Sequence, residues 1–149
     1  MSVESRDLQL AKKLLVDHVV TLAAAHDGKV VFESGLRGVS GFLDMVEVLG
    51  DGLRGASVAD KVVGKAVALL CVFAGVKSIY AVTLGLTAKR VFDDNGVYCE
   101  WEGLVENILN AGRTGVCEFE QAVADVSDGE VALVRLTQLR GELAKGLMR

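Results

Sequence analysis

Proline is absent from all 149 residues of the chain, although an average composition of about 5% would supply roughly seven. No function attaches to that absence alone. With no internal repeat, low-complexity tract or domain linker elsewhere, the chain reads as one domain. Cysteine is scarce too. Cys71, Cys99 and Cys117 are an odd number at wide spacing, which excludes a disulfide framework and a zinc ribbon and fits reduced thiols in a cytoplasm. Positive charge is never concentrated. Sixteen basic residues against twenty acidic ones leave a net charge of -4, with no phosphate-tracking run, so duplex nucleic acid is not an expected partner. Long apolar runs are missing as well. A-V-A-L-L-C-V-F-A at 66 to 74 is half a membrane span, and the opening M-S-V-E-S-R-D has no signal-peptide core, so a soluble cytoplasmic protein is expected.

What is present is a globular composition, 51% apolar and 24% charged, in a chain long enough to bury about two-thirds of the surface its unfolded form exposes. Apolar residues at Leu8, Ala11, Leu14 and Leu15 predict a helix over 6 to 18. V-V-T-L-A-A-A and V-V-F-E-S read as strands joined at Asp27-Gly28, a tight-hairpin dipeptide. Three glycines in S-G-L-R-G-V-S-G predict a loop before a helix at 42 to 49. S-V-A-D-K-V-V-G-K-A-V-A-L-L, residues 57 to 70, predicts a long buried helix from about Val58 to Gly75. Further on, 78 to 84 and 97 to 101 read as strands. Residues 87 to 96, 104 to 110 and 118 to 126 read as helices, and the last segment opens with a capping-box spacing of Ser127 and Glu130. The predicted architecture is a three-layer α/β/α sandwich with a mixed sheet: an α/β domain over 1 to 126, with 127 to 149 as a C-terminal helical extension of the same domain.

The 57 to 70 stretch also holds the candidate site. On a helical projection Asp60, Cys71, Gly64, Ala68, Lys61, Val72 and Lys65 share an arc of about 140°, with Ser57 as N-cap. In one reading Asp60 is a cap and the lysines extend to water. In the other, the helix end and two ammonium groups face an anionic ligand. A P-loop is excluded by Ala59 and Ala66, and Gly64-Lys65 falls inside the predicted helix. A-G-R-T-G-V-C-E-F-E at 111 to 120 adds Arg113 and Thr114 as an anion clamp and Cys117 at a helix start, where a thiolate is favoured. A small buried hydrophobe is the commoner role for such a cysteine. Arg37 is a third positive group within reach of a pocket. Cys71, Cys99, Tyr98 and Trp101 are read as packing residues.

G-A-S-V-A-D-K-V-V-G-K-A after a D-G hairpin, followed by R-T-G-V-C, resembles an uncharacterised prokaryotic family, domain of unknown function 1893, over roughly 6 to 126. The resemblance implies a cytidine-deaminase-like fold. In deaminases of that fold one helix begins with His or Cys, Ala and Glu, and the next with Pro-Cys-x-x-Cys. Placed on S-V-A-D-K and G-L-T-A-K, those motifs find no zinc ligand here. No metal and no cofactor are therefore expected, and Asp60 falls near the place of the catalytic glutamate. In the family a proline follows the cysteine. Glu118 stands there in this chain, and its charge opposes thiolate formation.

The expected function is binding of a nucleotide or phosphorylated-ribose ligand by Ser57, Lys61, Gly64, Lys65, Arg113, Thr114 and Cys117, with Asp60 as base or nucleophile if chemistry occurs. The alternative is a non-catalytic assembly or regulatory module. A homo-oligomer is expected in either case, and Val134, Leu136, Leu139, Leu143 and Leu147 offer a docking stripe on the same chain or on a second subunit.

Overall fold

The computed structural model describes residues 3–36 and 38–147, so Arg37 lies outside the described residues. The chain order is α1 (Val3–Asp17), β1 (Leu22–His26), β2 (Lys29–Ser34), α2 (Val39–Leu49), a 3-10 turn (Gly50–Leu53), β3 (Ser57–Val63), α3 (Lys65–Ala74), β4 (Ser78–Gly85), α4 (Leu86–Asp94), β5 (Tyr98–Val105), α5 (Glu118–Ala122) and α6 (Gly129–Leu147). The five strands form one sheet in the order β2-β1-β3-β4-β5. β1 is antiparallel to both β2 and β3, while β3, β4 and β5 run parallel. α1 covers one face of the sheet and α2, α3, α4 and α6 the other, which gives the three-layer mixed α/β/α architecture.

The hairpin forms where Asp27-Gly28 predicts it. Both residues adopt positive φ, 51° and 78°, as a type I′ turn requires. Asp7 of α1, itself buried, accepts hydrogen bonds from the Asp27 and Gly28 amides at 3.0 and 2.8 Å. One side chain thereby fastens the first helix to the first turn.

The largest departure from expectation is the 57 to 75 stretch. It is a strand, a glycine and a shorter helix. β3 is the central strand, flanked by β1 and β4 and buried on both faces over Ser57 to Asp60. Burial on both faces removes the polar alternation by which a strand is usually recognised. The chain turns at Gly64, which precedes α3 and is not inside it. β5 likewise runs to Val105, where a helix over 104 to 110 is predicted, and Leu109 then bridges Val116. The cap of α6 is Asp128 and not Ser127: its carboxylate accepts from the Glu130 and Val131 amides at 2.7 and 3.2 Å.

α6 packs back on its own chain, against α3, α2 and α5. Ala132 and Leu136 are fully buried, and Arg140 reaches α2, donating to Asp44 Oδ1 at 2.6 Å and to the Ser40 carbonyl at 3.2 Å. The outward residues Val134 and Leu143 are exposed. α6 approaches α3 closely because Gly129 has no side chain. A Cβ there would lie 2.8 Å from both the Leu69 carbonyl oxygen and Phe73 Cβ. Gly129→Ala is therefore expected to cost about 1–3 kcal/mol as an overpacked contact, read as a lower urea midpoint at unchanged m-value. An unchanged midpoint would show that α6 can lift off at no cost.

Candidate functional site

Gly64 directly follows β3 and Gly85 ends the parallel strand β4, and the two glycines lie side by side. A Cβ on Gly85 would be 3.7 Å from Gly64 Cα and 3.6 Å from the Ile108 side chain. Each glycine leads directly into a helix, α3 at Lys65 and α4 at Leu86. In open α/β sheets, ligands bind outside such carboxyl ends of strands.

Glu120 occupies this place in the folded chain. Its carboxylate takes the first two amides of α3, Lys65 N to Oε1 and Ala66 N to Oε2, both at 2.8 Å. An anion at a helix N-terminus satisfies unpaired donors and opposes the macrodipole, and these bonds are charge-assisted. Gly64 is required by the same contact, since a Cβ on it would sit 2.2 Å from Glu120 Oε1. Lys65 turns to the same segment, its Nζ donating to the Ala124 carbonyl at 3.0 Å.

The segment before Glu120 is a small hairpin bonded within itself. Asn110 N donates to the Gly115 carbonyl and Cys117 N to the Ile108 carbonyl, both at 2.9 Å. The Asn110 side chain accepts from Thr114 N at 3.0 Å and donates to Thr114 Oγ1 at 3.1 Å. Thr114 is thus engaged within the hairpin. Arg113 sits at its exposed tip with φ 56°, and Cys117 caps the five-residue α5 with its backbone. What reaches the turn from this segment is Glu120 and Ile108.

The other predicted residues are dispersed because 57 to 63 is a strand. Ser57 lies at the far end of β3 from Gly64, buried, its hydroxyl 2.6 Å from that of Ser78. Asp60 and Lys61 are neighbours in a strand and point to opposite faces. Lys61 lines a groove beside α1. Asp60 is 6% exposed and lies on the α3 side, where its charge helps hold the buried Cys71 thiol high, after burial itself. Burial pushes the Asp60 carboxyl up to about 8, against the backbone hydrogen bonds from Val62 and Lys61 that favour its ionised form. At neutral pH it is mostly protonated, the wrong form for a base or nucleophile, and it lies beneath a helix.

Residues 57 to 61 are in β3 and 85 to 89 run from the end of β4 into α4, and neither stretch contains a His or Cys. The helix that follows the hairpin is α2, beginning Val39-Ser40-Gly41, and the next is α3, beginning Lys65-Ala66. Neither start carries a zinc ligand. Among the described residues no three His, Cys, Asp or Glu side chains are grouped to hold a metal ion, and no helix is long and apolar enough to cross a membrane.

Sheet order, paired βα turns and the Glu120 contact define a mixed α/β protein in which a carboxylate of its own chain sits on the first turn of α3. The chain belongs to the family described as a domain of unknown function, DUF1893, whose model matches residues 9–139. It is similar to the crystal structure of a DUF1893 family protein from Thermotoga maritima, with TM-score 0.80 and 26% identity over 97% of this chain and 92% of that chain. More distant is a dCMP deaminase from the cyanophage S-TIM5 in apo form, with TM-score 0.48 and 14% identity over 68% of this chain and 99% of that one. A diaminohydroxyphosphoribosylaminopyrimidine deaminase/5-amino-6-(5-phosphoribosylamino)uracil reductase from Thermotoga maritima gives TM-score 0.44 and 19% identity over 83% of this chain and 40% of that one. No curated protein matches the sequence.

The buried carboxyl yields a pH prediction. With its folded pKa raised from 3.8 to about 8, the native state holds a proton that the unfolded state releases across that window. Its contribution to stability therefore falls as pH rises from about 4 to about 8 and is level above. Asp60→Asn keeps the neutral shape. Relative to wild type, it is expected to gain stability progressively over that window in urea titrations, and a pH-independent difference would remove Asp60 as the source.

Proposed function

We propose that this protein binds a small anionic ligand of the nucleotide or phosphorylated-ribose class at the β3–α3 turn, without zinc-dependent deamination. One observation carries the reading: the Lys65 and Ala66 amides hold a carboxylate with both oxygens at 2.8 Å, so the receptor geometry is built and in use. A phosphate presents the same pair of acceptors. The ligand takes the place of Glu120, Gly64 leaves room for it beside the backbone, and Lys65, the first residue of α3, supplies a positive charge. Asp60 contributes no chemistry in this reading.

The same contact also favours a second reading. A crevice filled by its own carboxylate suits a non-catalytic assembly or regulatory module that has given up ligand binding.

Calorimetric titration of ribose 5-phosphate and adenosine 5′-monophosphate into wild type and Glu120→Ala separates the two. An internal competitor lowers apparent affinity by the fraction of time it occupies the site. Removing it is expected to tighten binding by about tenfold or more, and Lys65→Ala in that background to weaken it again. Absence of binding by both proteins at millimolar ligand would leave the assembly reading in possession.

A further inference from the structure

The face of the sheet that carries α1 is only partly covered. α1 packs on β1, β3 and β4, and between it and β5 runs an open groove. Two adjoining cavities of about 540 and 500 Å³ lie along it and share Lys12, Tyr80 and Glu102. Each is large enough for a small ligand.

Strand register orders the charges in this groove. Asp60 pairs with Ala81 and Val62 with Thr83, while Ala81 pairs with Trp101 and Thr83 with Gly103. Lys61, Val82 and Glu102 therefore stand in one row across three adjacent strands. At a strand spacing of about 4.8 Å, the backbones of the lysine and the glutamate are about 10 Å apart, with an apolar residue between them. All three line the larger cavity, which Leu15 and Val16 of α1 wall on the other side.

The neighbouring row, Tyr80 and Glu100, already holds an ammonium group. Lys12 Nζ lies 3.0 Å from Glu100 Oε2 and 4.7 Å above the centre of the Tyr80 ring, a carboxylate and an aromatic face acting together. The Tyr98 hydroxyl donates to Glu100 at 2.8 Å, and the Tyr80 hydroxyl is held above its usual pKa by burial and by Glu102 beside it. Glu102 thus has an aromatic setting like that of Glu100 but no lysine of its own at hydrogen-bond distance among the described residues.

We propose that this groove binds a short zwitterionic chain, such as a tripeptide with free ends. The ammonium end meets Glu102, the carboxylate end meets Lys61, and the apolar middle lies over Val82 against Leu15 and Val16. Lys12 and Lys13 also line the larger cavity but are paired with Glu100 and Asp17, so Glu102 disfavours a ligand with only negative charge and Lys61 one with only positive charge. The separated charges therefore select for both ends at once. The groove is on the opposite face from the Glu120 contact and does not depend on the ligand reading above.

The test is calorimetric titration of trialanine into the full chain, with N-acetyl-trialanine and trialanine amide as peptides lacking one charge each. Location is read from the Lys61→Ala and Glu102→Gln variants, since the Trp101 ring faces α4 beside Lys89. Saturable binding is expected. Lys61→Ala, Glu102→Gln and each blocked peptide should weaken it about tenfold, the loss of one charged hydrogen bond, and Glu120→Ala should leave it as in wild type. Lys61 and Glu102 are exposed, so neither substitution disturbs the core. No saturable heat with trialanine, affinity unchanged in both groove variants, or loss of binding in Glu120→Ala would each overturn the assignment.

Discussion

The Glu120 carboxylate on the first turn of α3 is the interaction on which the upper end of the molecule depends. Two charge-assisted hydrogen bonds join residues 55 apart in sequence, so the turn from β3 into α3 is tied to α5 by one side chain. Loop closure at that length costs only slightly more entropy than a short one. Offsetting it are two satisfied amides and a helix dipole met by a full charge. The contact in turn dictates Gly64, because any side chain there would overlap the carboxylate. A glycine that looks like a defect in an apolar helix is a point of close approach between distant segments.

That dependence explains which parts of the fold are legible in the sequence. The Asp27-Gly28 turn, the short β-branched strand β4 and the C-terminal helix carry their signals locally, in a dipeptide, a composition and a periodicity. β3 does not. Its alternation is erased by burial on both faces, and Ala59, Lys61 and the following Lys65-Ala66-Val67-Ala68 all suit a helix. With the strand taken for a helix, Asp60, Lys61 and Lys65 fall on one side. In the folded chain they are separated by the sheet and by the turn. Gly64 and Lys65 meet Glu120 at the start of α3, Ser57 lies at the far end of β3 against Ser78, and Thr114 bonds within its own hairpin. Glu120 could not be found by spacing, since nothing in E-F-E marks which glutamate turns inward. Gly64 was the available clue: an isolated glycine in a buried run often marks a place where another chain segment comes close.

Alternation in β3 also divides the chemistry of the two faces. On the α3 side Asp60 is sealed, and it is tolerated because a carboxyl can shed its charge by keeping a proton. On the α1 side Lys61 stays solvated at the rim of a groove whose far wall is acidic. A shift of one residue in β3 would exchange them, placing an ammonium group under α3 and a carboxylate opposite Glu102. Either change is unfavourable, one by desolvation and the other by like charge. The two residues that look like a paired site in the linear sequence thus act as a register mark. Leu22 opposite Asp60 on one side and Ala81 opposite it on the other fix which face each charge can reach, and with it which chemistry each face can offer.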